Sequence, residues 1–224
     1  MQDLHGLFSI NHPGSPTGAS CMGCGWSAPD TDYKRVHVIE AINGGSLDGP
    51  RSGISFWQDK LNRGYRLTGI GGSDNHDTDY PPQIRSAVGH PTTVVYAQNL
   101  SEPAILNAIR AGHVFIDMEG IATRTFEFSA HVGSKTASMG DAISSLAGEQ
   151  VHFTLKLVAL EGAHPEVIRN GELATLLDTA PVKAKEEMRS FAYSSDGKQH
   201  WLRVNLRPAE ETLLLVGNPI YLNF

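Results

Sequence analysis

The sequence predicts an α/β half followed by an all-β half, and two observations carry this. From residue 4 to about residue 120, short β-branched runs alternate with helical periodicity: strand, loop, strand, helix, strand, loop, strand, helix, strand. From about residue 122 onward, strand-type alternation recurs at short intervals between polar turns. The first pattern argues a mostly parallel sheet or barrel, with its site at the C-terminal ends of strands. The second argues a β-sandwich. The predicted domains are 1–121 and 122–224.

The elements follow in order. Residues 4–10 read as a short strand that runs into Asn11-His12-Pro13-Gly14. A His held by a Pro-Gly turn at a strand end suits a ligand, although a loop His bonded to backbone is the plainer reading. Residues 13–34 are rich in Gly, Pro, Ser and Asp and have no periodicity, which predicts a long loop. Val36 to Ile42 reads as a second strand, closed by Asn43-Gly44-Gly45. Glu40 is an acid inside that apolar strand, a place where acids are rare unless paired or metal-bound. Ile54, Trp57 and Leu61 recur at helical spacing over residues 53–63, and Gly64 stops the helix.

Leu67 to Ile70 is a buried central strand, and Gly71-Gly72-Ser73-Asp74-Asn75-His76 follows it. If residues 74–76 stay extended, Asp74 and His76 share one face as an oxygen and a nitrogen ligand. Alone, Asp-x-His is ordinary turn chemistry. Residues 91–97 form a β-branched strand. Ser101 caps a helix running through Arg110, Gly112 closes it, and residues 113–117 form a further strand. His12, Asn43 and Asp74–His76 therefore all fall at strand ends.

In the second half, strands are expected at 125–131, 151–158, 166–171, 201–206, 212–216 and 220–222. Residues 183–189 have helical composition, but the neighbouring strands make a long hairpin an equal alternative. No catalytic constellation is visible in this half.

Composition excludes several classes. Hydrophobic residues make up 40% and charged residues 19%, enough apolar matter for a packed core and too little charge for a disordered chain. Net charge is −6 with no Lys/Arg run, which argues against a nucleic-acid backbone as partner. No apolar stretch reaches membrane-spanning length. A soluble protein is expected, either cytoplasmic or exported to a periplasm.

The chain has two cysteines, Cys21 and Cys24. A structural zinc site of the usual four-ligand kind would need a second Cys pair, which is lacking. A disulfide or redox pair, or two free loop thiols, remain as alternatives. A thiol-redox function is disfavoured, because the pair sits in a Gly/Pro loop and not at a helix start that would lower a thiol pKa.

Six segments occur together in one order: Ile10-Asn-His-Pro-Gly14, Ile39-Glu-Ala-Ile-Asn-Gly44, Phe56-Trp-Gln-Asp-Lys-Leu-Asn-Arg-Gly64, Gly71-Gly-Ser-Asp-Asn-His76, Gly89-His-Pro-Thr-Thr-Val-Val-Tyr-Ala97 and Asn218-Pro-Ile-Tyr221. This set resembles the later part of the PHP (polymerase and histidinol phosphatase) superfamily, in its carbaryl-hydrolase-like branch. The resemblance implies part of a distorted (β/α) barrel holding divalent zinc, manganese or iron, followed here by the β-sandwich. It implies metal-ligand roles for His12, Asp74 and His76, with Asp74 and His76 also catalytic. Glu40 matches a recurrent acid near the site whose ligand role is not settled. The implied reaction is hydrolysis of a small phosphoester, carbamate or other ester by metal-activated water.

The chain departs from the family by lacking His-x-His among its ten histidines. It then corresponds to the C-terminal part of such a protein, with an incomplete metal cluster and open sheet edges. Those edges would be covered by a further N-terminal segment, by a second copy, or by packing on the β-sandwich. The alternative function is a non-catalytic binding or structural module built on a remnant barrel and a β-sandwich.

Overall fold

The computed structural model describes residues 6–19, 21–45, 48–84, 86–209 and 212–224. Among these the protein is mostly β-sheet with two helices. It divides into two compact units, residues 1–120 and 121–224.

In the first unit, strands β1 (Ser9–Ile10), β2 (Val38–Asn43) and β3 (Thr68–Gly72) form a parallel sheet in the order β1-β2-β3. The strand expected over 4–10 is thus confined to its last two residues; residues 4 and 5 lie outside the described ones. Ile10 pairs with Ile39, and Ile39 with Gly69. β2 is buried along nearly its whole length, as a parallel strand covered on both faces should be. A register shift between Glu40 and Ile42 marks a bulge in β2.

Helix α1 (Ile54–Asn62) connects β2 to β3 and packs through Ile54, Trp57 and Leu61, the positions its periodicity predicts. Trp57 is fully buried and donates its indole N–H to the carbonyl of Leu67 at 2.8 Å. The N-terminal residue Gly53 offers no capping side chain. Ser52 does that work instead, accepting from the Ile54 N–H at 3.2 Å while its hydroxyl donates to the Ala41 carbonyl at 3.1 Å.

Strand β4 (Thr92–Val95), helix α2 (Glu102–Ala111) and strand β5 (Val114–Asp117) complete the unit. Ser101 caps α2 and Gly112 ends it with φ 80°. The expectation of a mostly parallel sheet or barrel is corrected here. β4 and β5 pair antiparallel, Thr92 opposite Asp117 and Val95 opposite Val114, and no barrel closes among the described residues. Two residues, Gly112 and His113, separate α2 from β5, so the chain re-enters directly alongside β4. β4 meets β3 through a side chain rather than a ladder. Gly71 N–H donates to the Thr93 hydroxyl oxygen at 3.0 Å, and that hydroxyl donates to the Gly71 carbonyl at 2.7 Å.

The second unit holds two sheets. One is a four-stranded antiparallel sheet in the order β12-β9-β6-β7, built from β6 (Thr125–Val132), β7 (Lys135–Ser138), β9 (Gln150–Val158) and β12 (Glu186–Ser194). Phe128, Phe153 and Phe191 stack across it with centroids 4.8 to 6.3 Å apart. The other contains β8 (Ala142–Ile143), β10 (His164–Arg169), β11 (Glu172–Ala174), β13 (His200–Arg207), β14 (Leu215–Gly217) and β15 (Ile220–Leu222). Gly217 of β14 lies against the Phe126 ring of β6, where the two sheets meet.

Residues 183–189 are not helical. Strand β12 begins at Glu186 and pairs along the whole of β9, which places Phe191 and Tyr193 in the core. Pairing supplied by β9 outweighs local helix propensity. Strands β7, β8 and β11 are too short to show a period in the sequence. No helix among the described residues is long and apolar enough to cross a membrane.

Candidate functional site

Three parallel strands deliver their C-terminal ends to one place, and Glu40 lies at its centre. Its carboxylate is buried, 5% exposed. Oε2 accepts the backbone N–H of His12 at 2.7 Å and the side-chain amide of Asn43 at 3.1 Å. Burial pushes the Glu40 carboxyl above its ordinary value, and the nearby negative charge of Asp74 adds to this. The two hydrogen bonds and the His12 charge act the other way. The side chains the sequence singled out at three strand ends therefore converge electrostatically on Glu40. Gly72 makes room for it, because a Cβ there would stand 2.8 Å from Glu40 Oε1.

His12 follows β1 in a left-handed conformation, φ 36°. Its carbonyl accepts the N–H of Ser15 at 3.2 Å and of Gly25 at 3.3 Å, so the turn is pinned on both sides. The ring is half-buried, and its Nδ1 is buried with no hydrogen-bond partner.

At the end of β3, His76 Nε2 lies 3.1 Å from Asp74 Oδ1. The pair forms, but not by the extended route the spacing suggested. Asp74 has φ 49°, so the chain turns there and the two side chains meet across a turn. Asn75 holds the turn by donating to the Ser86 carbonyl at 2.8 Å and accepting from Asp77 N–H at 2.9 Å. The His76 side chain is 87% exposed and that of Asp74 42%. Two ligand atoms each about 2 Å from one ion stand roughly 3 to 3.5 Å apart, so this pair is spaced for a shared cation.

The structure does not gather His12, Asp74 and His76 into one tight triad. Among the described residues, the group of three ligand-type atoms within 4.8 Å of one another is His12, Cys21 and Cys24. Cys21 and Cys24 are joined as a disulfide, which removes the free-thiol alternative. Sequence reasoning treated the cysteines apart from His12. The signal that could have joined them was a His and a Cys-x-x-Cys in the same long Gly/Pro loop.

A cavity of about 510 Å³ lies at the opposite, N-terminal side of the strands, lined by Phe8, Trp26, Asp30, Asp32, Arg35 and His37 among others. Trp26 donates to the Thr31 hydroxyl at 2.8 Å and stands edge-on to Phe8, with ring centroids 6.3 Å apart.

No family model matches the chain, and neither a curated protein nor a solved structure matches it. The resemblance to the PHP superfamily thus rests on the sequence segments alone.

Proposed function

We propose that residues 6–120 carry a metal-dependent hydrolytic site of the PHP phosphoesterase type, acting on a small phosphoester, carbamate or other ester. Asp74 and His76 would hold a divalent cation, zinc, manganese or iron, with His12 and Glu40 beside it. The observation that carries this reading is Glu40, a buried carboxylate with a raised pKa between His12 and Asp74. A divalent cation would offset the cost of keeping that buried carboxylate charged. Bound at this place, it would supply Lewis acidity toward a phosphoryl or carbonyl oxygen.

The chain's own residues set the rest. Glu40, bonded to the His12 backbone and the Asn43 amide, would hold the β1 and β2 ends together. Ligand number governs affinity, and the Asp74–His76 pair without His-x-His predicts weak, substoichiometric metal binding. The second unit would be a β-sandwich. The Cys21–Cys24 disulfide supports an oxidising, exported setting.

The test is turnover of p-nitrophenyl phosphate and of aryl esters with added manganese or zinc, together with bound metal after dialysis. Weak metal-dependent turnover that disappears in His76→Ala is expected. Turnover indifferent to both metal and His76→Ala would overturn the reading. The second reading, a non-catalytic binding module, is favoured by the aromatic-walled cavity at Trp26. In that case Trp26 fluorescence would respond to a ligand while hydrolysis stays absent.

A further inference from the structure

We propose that His12, Cys21 and Cys24 form a thiol-gated site for a soft divalent cation, zinc first, which the disulfide closes and reduction opens. The proposal does not rest on the hydrolytic reading: it shares His12 with that reading but takes its other two donors from Cys21 and Cys24.

The geometry is already that of a ligand set. The donor atoms of His12, Cys21 and Cys24 lie within 4.8 Å of one another, and the two cysteine Cα atoms are 5.4 Å apart. Two sulfurs about 2.3 Å from one zinc ion stand about 3.7 Å apart. Opening a disulfide to that separation asks for side-chain rotation more than backbone movement.

The frame does not depend on the S–S bond. Gly18 and Cys21 exchange backbone hydrogen bonds of 3.1 Å in both directions. The Thr17 hydroxyl donates to the Cys24 carbonyl. Gly25, next after Cys24, donates its N–H to the His12 carbonyl at 3.3 Å. The cysteine turn and the histidine turn are thus stitched together by backbone, and reduction leaves those bonds in place. A disulfide across so short a loop also constrains the unfolded chain least, so stabilisation is a weak account of it.

A second observation points to a ligand. Nδ1 of His12 is buried and has no hydrogen-bond partner among the described residues. Buried ring nitrogens are ordinarily partnered. An imidazole beside two sulfurs is a donor set that zinc prefers. Three protein donors leave a fourth position open to water or to a small ligand.

The chemistry balances with a dithiol reductant. Its two thiols give up two electrons and two protons and become a disulfide. The Cys21–Cys24 bond breaks and both sulfurs become thiols. Zinc binding then releases those two protons, leaving two thiolates on the ion.

The test uses the whole chain, reduced with a non-chelating phosphine or left oxidised, and titrated with cobalt(II) and then zinc. The reduced chain should bind one equivalent of cobalt with thiolate-to-metal charge-transfer absorption that zinc abolishes, and zinc should protect both thiols from alkylation. The oxidised chain should show no such band. His12→Ala should weaken binding roughly tenfold or more while two thiolates still contribute, and Cys21→Ser should remove the two-thiolate spectrum. Asp74→Ala and His76→Ala should leave the thiolate band unchanged, so failure here and failure of the hydrolytic reading are distinguishable. A reduced, folded chain without the band, or a His12→Ala variant with unaltered affinity and spectrum, overturns the proposal. If His12→Ala does not fold, alkylation protection by zinc in the unmodified chain decides: unprotected thiols overturn it.

Discussion

Glu40 Oε2 accepts the backbone N–H of His12 at 2.7 Å, joining two strand ends that lie 28 residues apart in the chain. A backbone N–H donor survives any substitution at His12 except proline. The bond therefore holds the β1 end whatever the imidazole does, and it leaves the ring free for other partners.

Glu40 sets a pH dependence. Its carboxyl is raised above 4.5, chiefly by burial. Above 4.5 the native chain holds a proton that the unfolded chain has lost, so stability falls as pH rises through the folded pKa. Glu40→Gln should flatten that slope and raise the urea midpoint at neutral pH. It should also weaken retention of manganese or zinc at the Asp74–His76 site. A variant whose stability falls with pH just as the parent's does would contradict the account.

Gly72→Ala should act through Glu40. The new Cβ would meet Oε1 at 2.8 Å and force the side chain off the His12 N–H. Losing a hydrogen bond to a charged acceptor costs about 1.5–3 kcal/mol. In a Glu40→Ala background the same change should cost less, and a double-mutant cycle in urea measures the difference. Additive costs would show that Gly72 serves some other purpose.

His76→Ala should leave stability within about 0.5 kcal/mol of the parent, since its side chain is 87% exposed, whereas Asp74→Ala should cost more because Asp74 holds φ 49°, which Ala tolerates less well. Metal-dependent hydrolysis, where present, should fall by orders of magnitude in both. Thermal unfolding beside turnover separates the two effects.

His37 gives a slope of the opposite sign. Its pKa is lowered from 6.5, first by burial and then by the positive charge of Arg110. Its Nδ1 accepts the Phe8 N–H at 3.1 Å, which requires that nitrogen to be unprotonated. The stabilisation is complete above 6.5 and is lost as pH falls below it. Arg110→Ala should move the His37 titration upward in an NMR experiment, and His37→Asn should remove the acid-side loss.

By itself the sequence determined the local elements and the residues worth watching. Trp57 and Leu61 at helical spacing gave α1, Ser101 and Gly112 bounded α2, and alternation gave β6, β9 and β13, because these signals act within a few residues. It also marked His12, Asp74 and His76 through their places at strand ends, and Glu40 as an acid inside an apolar strand. Tertiary structure alone decided which of them meet. Glu40 reaches His12 because a parallel pair places Ile10 beside Ile39, and Asp74 reaches His76 through a left-handed turn that Asp-x-His does not announce. Strand direction was equally hidden: nothing local to Thr92–Val95 says that β5 will run back along it. The cysteines look idle in sequence because His12 stands nine positions away from Cys21, and two backbone turns fold that distance to within 4.8 Å. Local propensity acts over a turn or a strand, whereas a site is made by contacts that the chain closes only when it packs.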